Sequence, residues 1–166
     1  MTKPAALALF AAVLAGCATT HEGYSPSAEA SLRTKVETIF RDLNEMKFDA
    51  MRARTDIPEL SVFDFDPENK PLDAYSGAEW NRVVDQYADM VKRGGALRTE
   101  LKRIDVHASE SFGYATVEFD QFFSMGGQTM GPFKFRGTMI VRREGEDWVW
   151  THWHGSMREL PPAEKK

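Results

Sequence analysis

Between residues 27 and 48 the apolar positions Leu32, Val36, Ile39, Phe40, Leu43 and Met46 recur at spacings of three and four. That period gathers them on one stripe of an α-helix. Ser27 stands where a capping hydroxyl is wanted. Residues 49–55 read as a turn or a short second helix, and Pro58 breaks the chain. Residues 59–65 bring Val62, Phe63 and Phe65 together, as a strand would, before Asp66, Pro67, Glu68, Asn69 and Pro71 mark a loop. A further amphipathic helix is predicted over residues 76–93. Ser76 and Glu79 form a capping-box pattern at its start. Trp80, Val83, Val84, Tyr87, Met90 and Val91 supply its apolar face, and Gly94 with Gly95 ends it.

From residue 97 the period changes to two. Four strands are predicted, over residues 97–108, 113–123, 133–143 and 148–157. Turns fall near Ser109 and Glu110, at Met125-Gly126-Gly127-Gln128, and at Glu144-Gly145-Glu146-Asp147. Helices first and hairpin-linked strands afterwards define an α+β chain, with helices on one face of an antiparallel sheet.

The first residues belong to a different kind of segment. Lys3 precedes an apolar run over residues 5–13, followed by Leu14, Ala15, Gly16 and Cys17. A cationic start, a short apolar stretch and small residues at the end make a secretory signal. The run is well short of the roughly 20 residues that span a bilayer. The Leu-Ala-Gly-Cys ending resembles a bacterial lipobox. That resemblance implies cleavage before the cysteine and a diacylglycerol thioether on its sulfur. Cys17 is the only cysteine in the chain, so no internal disulfide competes for it. Ala18, rather than Asp, follows it, which in Gram-negative lipoproteins implies export to the outer membrane. The expected organisation is a signal peptide over residues 1–16, a flexible tether over 17–27 carrying the lipidated Cys17, one domain over 28–158, and a disordered tail over 159–166. The expected location is the cell envelope, lipid-anchored to a membrane and facing the periplasm. The net charge of −4 is mild and the charges are interspersed. No basic stripe of the kind nucleic acid requires is present.

The closing segment Trp148, Val149, Trp150, Thr151, His152, Trp153, His154, Gly155 and Ser156 resembles the last strand of SnoaL-like domains, which belong to the nuclear transport factor two-like superfamily. Gly113, Ala115 and Val117 are similar to a Gly-x-Ala-x-Val strand of that family. Arg136 and Thr138 fit its Arg-x-Thr pattern. The resemblance covers about residues 28–158. It implies a cone in which a strongly curved antiparallel sheet wraps around N-terminal helices and leaves a pocket at the open end. It also implies homodimerisation through the outer face of the sheet. Members range from isomerases, cyclases and dehydratases to non-catalytic association domains, so the fold leaves the function open.

Strict alternation along the last strand would place Trp148, Trp150, His152, His154 and Ser156 on one face, and Val149, Thr151, Trp153 and Met157 on the other. His152 and His154 are candidates for catalysis. They would serve as metal ligands only if His107, Asp120 or Glu118 joined them, since catalytic zinc takes three protein ligands and structural zinc four. The pair is otherwise structural, and neither a metal nor any other cofactor is expected. Ketosteroid isomerase relatives pair a carboxylate base with tyrosine donors. Candidates of those types are Asp66, Glu118 and Asp120 with Tyr75, Tyr87 and Tyr114. Candidate ligand-binding residues are Trp153, His154, Arg136 and Trp80. Arg136 either clamps a ligand carboxylate or pairs with Glu118 or Asp120 across the sheet. The hairpin carrying Phe119, Phe122, Phe123, Phe133 and Phe135 supplies core or pocket wall. The expected activity is binding of a small, largely apolar molecule in the cone. The alternatives are an isomerase, hydrolase or dehydratase using acid–base chemistry, and a non-catalytic dimerisation or assembly module.

Overall fold

The computed structural model describes residues 23–55, 58–65 and 71–158. The expected signal peptide, residues 17–22 of the tether and the tail over 159–166 lie outside them. Helix α1 (Pro26–Asn44) and the short α2 (Phe48–Thr55) come first. Strands β1 (Ser61–Phe65) and β2 (Pro71–Ala74) follow, then α3 (Gly77–Lys92). Four long strands complete the chain: β3 (Ala96–Ala108), β4 (Phe112–Met125), β5 (Gln128–Glu144) and β6 (Asp147–Met157). Among the described residues the six strands form one curved sheet in the order β2-β1-β6-β5-β4-β3. Neighbours are antiparallel except β1 and β6, which run parallel. The three helices cover the concave face. None of the described helices is long and apolar enough to cross a membrane.

Local chemistry sets the helix ends. The cap of α1 is Ser25, two residues before the expected Ser27. Its hydroxyl accepts from the amide of Ala28, Pro26 occupies the first turn, and its own N–H donates to the carbonyl of Ala108. The first helical position is where proline's missing N–H costs nothing. At α3 the hydroxyl of Ser76 accepts from the amide of Glu79, and the Glu79 carboxylate accepts from the amide of Tyr75 and the hydroxyl of Ser76. Those two hydrogen bonds hold the Glu79 carboxyl below its ordinary pKa, the Tyr75 amide contributing most.

Leu32, Val36 and Phe40 of α1 and Trp80, Val83, Val84 and Tyr87 of α3 point into the core. They meet Val117, Phe119, Phe135, Met139 and Val141 from the sheet. Each fully buried aliphatic side chain stabilises the fold by roughly 1.5–3 kcal/mol. Asn44, the last residue of α1, fixes the helix against edge strand β3. Its amide donates to the carbonyl of Thr99 at 2.7 Å and accepts from the Thr99 N–H at 2.6 Å. Arg33 adds a bond to the carbonyl of Ile104.

Two features depart from the pattern read in the sequence. Pro71, expected to lie in a loop, opens strand β2. Pro71 is tolerated there because it opens an edge strand, where it withholds no ladder hydrogen bond. In β6 the alternation breaks. Ile140 pairs with His152 and Val141 with Trp150, so Thr151 is an extra residue in a β-bulge. The Thr151 hydroxyl donates to the carbonyl of Ile140. Past the bulge the strand changes face. Trp148, Trp150, Trp153 and Gly155 are buried, whereas His154 is exposed. The single face expected to carry Trp148, Trp150, His152 and His154 does not exist.

Candidate functional site

The helices do not fill the cone. A cavity of about 80 Å³ remains between Ile39, Phe40 and Leu43 of α1, Met51 of α2, Trp80 and Tyr87 of α3, and the concave side of the sheet. The sheet contributes Leu97, Phe119, Gln121, Met139, Trp150, Trp153 and Asp64. Trp80 meets Trp150 edge-on with ring centroids 6.0 Å apart, and Trp150 meets Trp153 in the same manner at 5.9 Å. Such edge-to-face contacts set the positive rim of one ring against the negative face of the next.

Among the described residues, Asp64 is the sole acidic or basic member of this lining. The indole N–H of Trp153 donates to its carboxylate at 2.5 Å. A hydrogen bond to an ionised acceptor is about twice as strong as one between neutral groups, and it fixes the indole plane as well as the carboxylate. Two glycines make the arrangement possible. A Cβ on Gly137 would overlap the edge of the six-membered ring of Trp153, and a Cβ on Gly155 would overlap the carboxylate of Asp64. The indole N–H of Trp80 has no hydrogen-bond partner among the described residues, although the side chain is only 6% exposed. An unsatisfied buried donor costs about 1–3 kcal/mol, so it marks a place where an acceptor is wanted.

Of the candidate residues named from sequence, Trp80, Trp153 and Tyr87 line the cavity, with Phe119 in its wall. His154 and Arg136 lie on the opposite, outer face of the sheet. There, with Thr116, Thr138 and Ser156, they border an open groove of about 440 Å³. Arg136 donates to the hydroxyl of Ser156 at 3.1 Å. The expected ion pair from Arg136 to Glu118 or Asp120 is replaced. Glu118 is engaged by Arg158 at 2.5 Å and Asp120 by Lys102 at 3.5 Å.

His152 is also on the outer face. Its Nδ1 lies 2.7 Å from the Ser61 hydroxyl, and its ring packs edge-on against Phe63. Partial burial, and next the nearby His154, hold its pKa below the ordinary histidine value. Tyr75 is 62% exposed and leans on Phe63, away from the cavity. His107 sits between Tyr24 and Tyr114, with Glu29 at 3.5 Å. Burial, and next the neighbouring Tyr24, raise the Tyr114 pKa. Asp66 and Cys17 lie outside the described residues. Among the described residues no three His, Cys, Asp or Glu side chains converge as a metal site would require.

Asp64 and Gln121 are the polar lining groups that sequence reasoning missed. The signal was present. Val62 and Asp64 share a strand face, and Gln121 continues the inward series Ala115, Val117 and Phe119. In both strands a polar residue occupies an apolar column.

A curved sheet closed on helices, with a cavity at the wide end, defines the NTF2-like, or cystatin-like, class of fold. The SnoaL-like domain family matches residues 33–158, and the chain belongs to that family. Among solved structures, an NTF2-like protein of unknown function from Pseudomonas putida is similar at 21% identity and a TM-score of 0.65, over 81% of this chain and 89% of that one. A cystatin-like protein from Caulobacter vibrioides shares 14% identity and a TM-score of 0.61, over 80% and 91% of the two chains. One from Burkholderia xenovorans shares 18% and 0.61, over 84% and 100%. At these identities the likeness carries the fold alone. No curated protein matches the chain.

Proposed function

We propose that this protein is a lipid-anchored envelope component whose SnoaL-like domain binds a small, largely apolar molecule in its cone. The observation that carries the reading is a largely apolar, aromatic cavity whose described lining includes the Asp64 carboxylate and the side chain of Trp80, whose buried N–H has no hydrogen-bond partner among the described residues. Ligand sites are mostly apolar with a few placed polar groups that fix orientation. At about 80 Å³ the enclosed space is well below the roughly 300–1,000 Å³ of a drug-sized site. It therefore holds a compact group, and any larger remainder extends through the mouth.

The anchor reading rests on the Cys17 motif, and the fold is compatible with it. Helix α1 begins at Pro26, and Ile39 on the cavity wall lies about 20 Å further along its axis at ~1.5 Å per residue. The tethered end and the pocket are thus at opposite ends of α1, and a ligand reaches the cone from the aqueous side.

A second reading, acid–base catalysis, gains support from the same carboxylate. Asp64 shares the cavity with the phenol of Tyr87, a base and a donor in one apolar site. On that reading the proton carrier is Asp64 rather than His152 or His154, whose rings lie across the sheet from the cavity.

Native mass spectrometry of protein purified from its own envelope tests the binding function. The expected result is a bound small molecule in the wild type that is absent from Leu43→Phe, in which an added ring occupies the cavity. Identical spectra for the two, with no added mass in either, would overturn it.

A further inference from the structure

Exposed aromatic side chains gather on the outer face of the sheet, the side turned away from the cone. Among the described residues the large exposed apolar side chains are Tyr24, Phe63, Tyr75, Phe112, Met125 and Met130. The first four belong to one patch. Tyr24 packs on His107 with ring centroids 5.2 Å apart, and His107 packs on Tyr114 at 5.0 Å. Tyr114 pairs across the sheet with Ile140, and Ile140 with His152. His152 meets Phe63 at 5.7 Å, and Phe63 meets Tyr75 at 5.8 Å. Phe112 stands two residues before Tyr114 on the same face of β4. The patch thus crosses β3, β4, β5, β6 and β1, and no Asp, Glu, Lys or Arg is among its members. A contiguous exposed apolar patch rimmed by polar residues marks an interaction surface.

One end of the patch is where the chain enters the domain. Tyr24 follows Cys17 by seven residues, a contour of at most roughly 25 Å. If Cys17 carries the lipid, the reading on which this inference rests, the bilayer surface is within reach of the patch. The side chains suit that surface. Tyr24, Tyr75, Tyr114, His107 and His152 each join an apolar ring to a polar tip. Such side chains settle at the headgroup level, where the body of the ring is dry and its tip is wet. We propose that the outer-face patch rests on the headgroup layer of the membrane that holds Cys17, so that the acyl chains and the aromatic rings attach the domain together. Patch and cavity lie on opposite faces of the sheet, so this contact leaves the cone facing water.

The test is hydroxyl-radical footprinting read by mass spectrometry. Wild-type protein is reconstituted into vesicles of phosphatidylethanolamine and phosphatidylglycerol, and Cys17→Ser protein in vesicle-free buffer is the reference. Oxidation of Tyr24, Phe63, Tyr75 and Phe112 is expected to fall by about half or more on the vesicles, as one side of each ring enters the headgroup layer. Met125 and Met130, exposed at the far end of the β4–β5 hairpin, should be oxidised equally in both samples. Wild-type protein that floats with the vesicles while the four rings are oxidised as in buffer would overturn the contact and leave the anchor standing. Protection that fades as the protein-to-lipid ratio is lowered would assign the patch to a second copy of the chain and overturn the contact too. Wild-type protein that fails to float would remove the anchor reading and this contact together.

Discussion

Gly155 and Asp64 compete for the same space: a Cβ on the glycine would lie on the carboxylate. Gly155 on β6 is thus what permits a charged side chain on β1 to lie flat against the sheet inside the cone. Gly155→Ala is expected to displace Asp64, break its bond from Trp153 and destabilise the domain by about 1–3 kcal/mol, the usual cost of overpacking. Urea denaturation measures the loss, and a shifted tryptophan emission in the folded state reports the freed indole. A variant with unchanged stability and emission would show that the carboxylate has room to spare.

Removal of the acceptor should behave differently from removal of the charge. Asp64→Ala leaves the Trp153 N–H without its carboxylate partner, in a side chain that is 5% exposed. The expected cost is about 1–3 kcal/mol. Asp64→Asn should recover most of it. Equal losses in the two variants would mean that charge, not the hydrogen bond, stabilises the pair.

The amide of Asn44 takes the place of a neighbouring strand at the outer edge of β3, satisfying both backbone groups of Thr99. Asn44→Ala should cost about 1–3 kcal/mol for those buried groups and uncover a template for strand pairing. Hydrogen exchange at the Thr99 amide should quicken, and sedimentation should show concentration-dependent association. Asn44→Asp keeps the acceptor and loses the donor, and should fall between the two.

The helices and the four long strands were legible in the sequence because their periods are long and uninterrupted. The apolar stripe from Leu32 to Met46 predicts α1 to within a few residues. The final motif led to the SnoaL-like family that matches residues 33–158. The arrangement of the site was less legible, for a specific reason. Alternation fixes a face only while the register holds, and the extra residue at Thr151 reverses it. His152 and His154 therefore move to the outer face, and Trp153 turns inward beside Trp150. No local composition marks that bulge, since Thr is an ordinary strand residue. Asp64 was obscured by Phe63 and Phe65, the bulky neighbours that dominate a strand only five residues long.

His152 gives a pH dependence of defined sign. Its folded-state pKa is below the ordinary value near 6.5, through burial and then through His154. Above that value the ring is neutral in both states, and its contribution to stability is fully present. As pH falls, the unfolded chain takes up the proton first, so stability is lost as pH passes down through the folded-state pKa. NMR titration of the His152 ring should place its midpoint below 6.5. His154→Gln should move that midpoint upward by removing the like charge. His152→Gln should flatten the acid limb of the urea midpoint against pH. An unchanged limb would assign the acid sensitivity to other groups.

Cys17 carries the remaining prediction. A diacylglycerol thioether supplies two acyl chains, each CH₂ adding about 0.8 kcal/mol of membrane affinity, enough together for stable anchoring where one chain is marginal. Wild-type protein is therefore expected in the membrane fraction, with a mass that reports loss of residues 1–16 and gain of the lipid. Cys17→Ser should appear in the soluble fraction with neither change. Because α1 starts nine residues later, at Pro26, and the cavity wall lies beyond that, the released variant should keep the wild-type melting temperature and the small molecule that co-purifies with the wild type. Membrane attachment that survives Cys17→Ser would place the anchor elsewhere in the chain. Loss of that bound molecule on release would instead mean that the bilayer forms part of the site, contrary to a pocket walled by residues far along α1 from the tethered end.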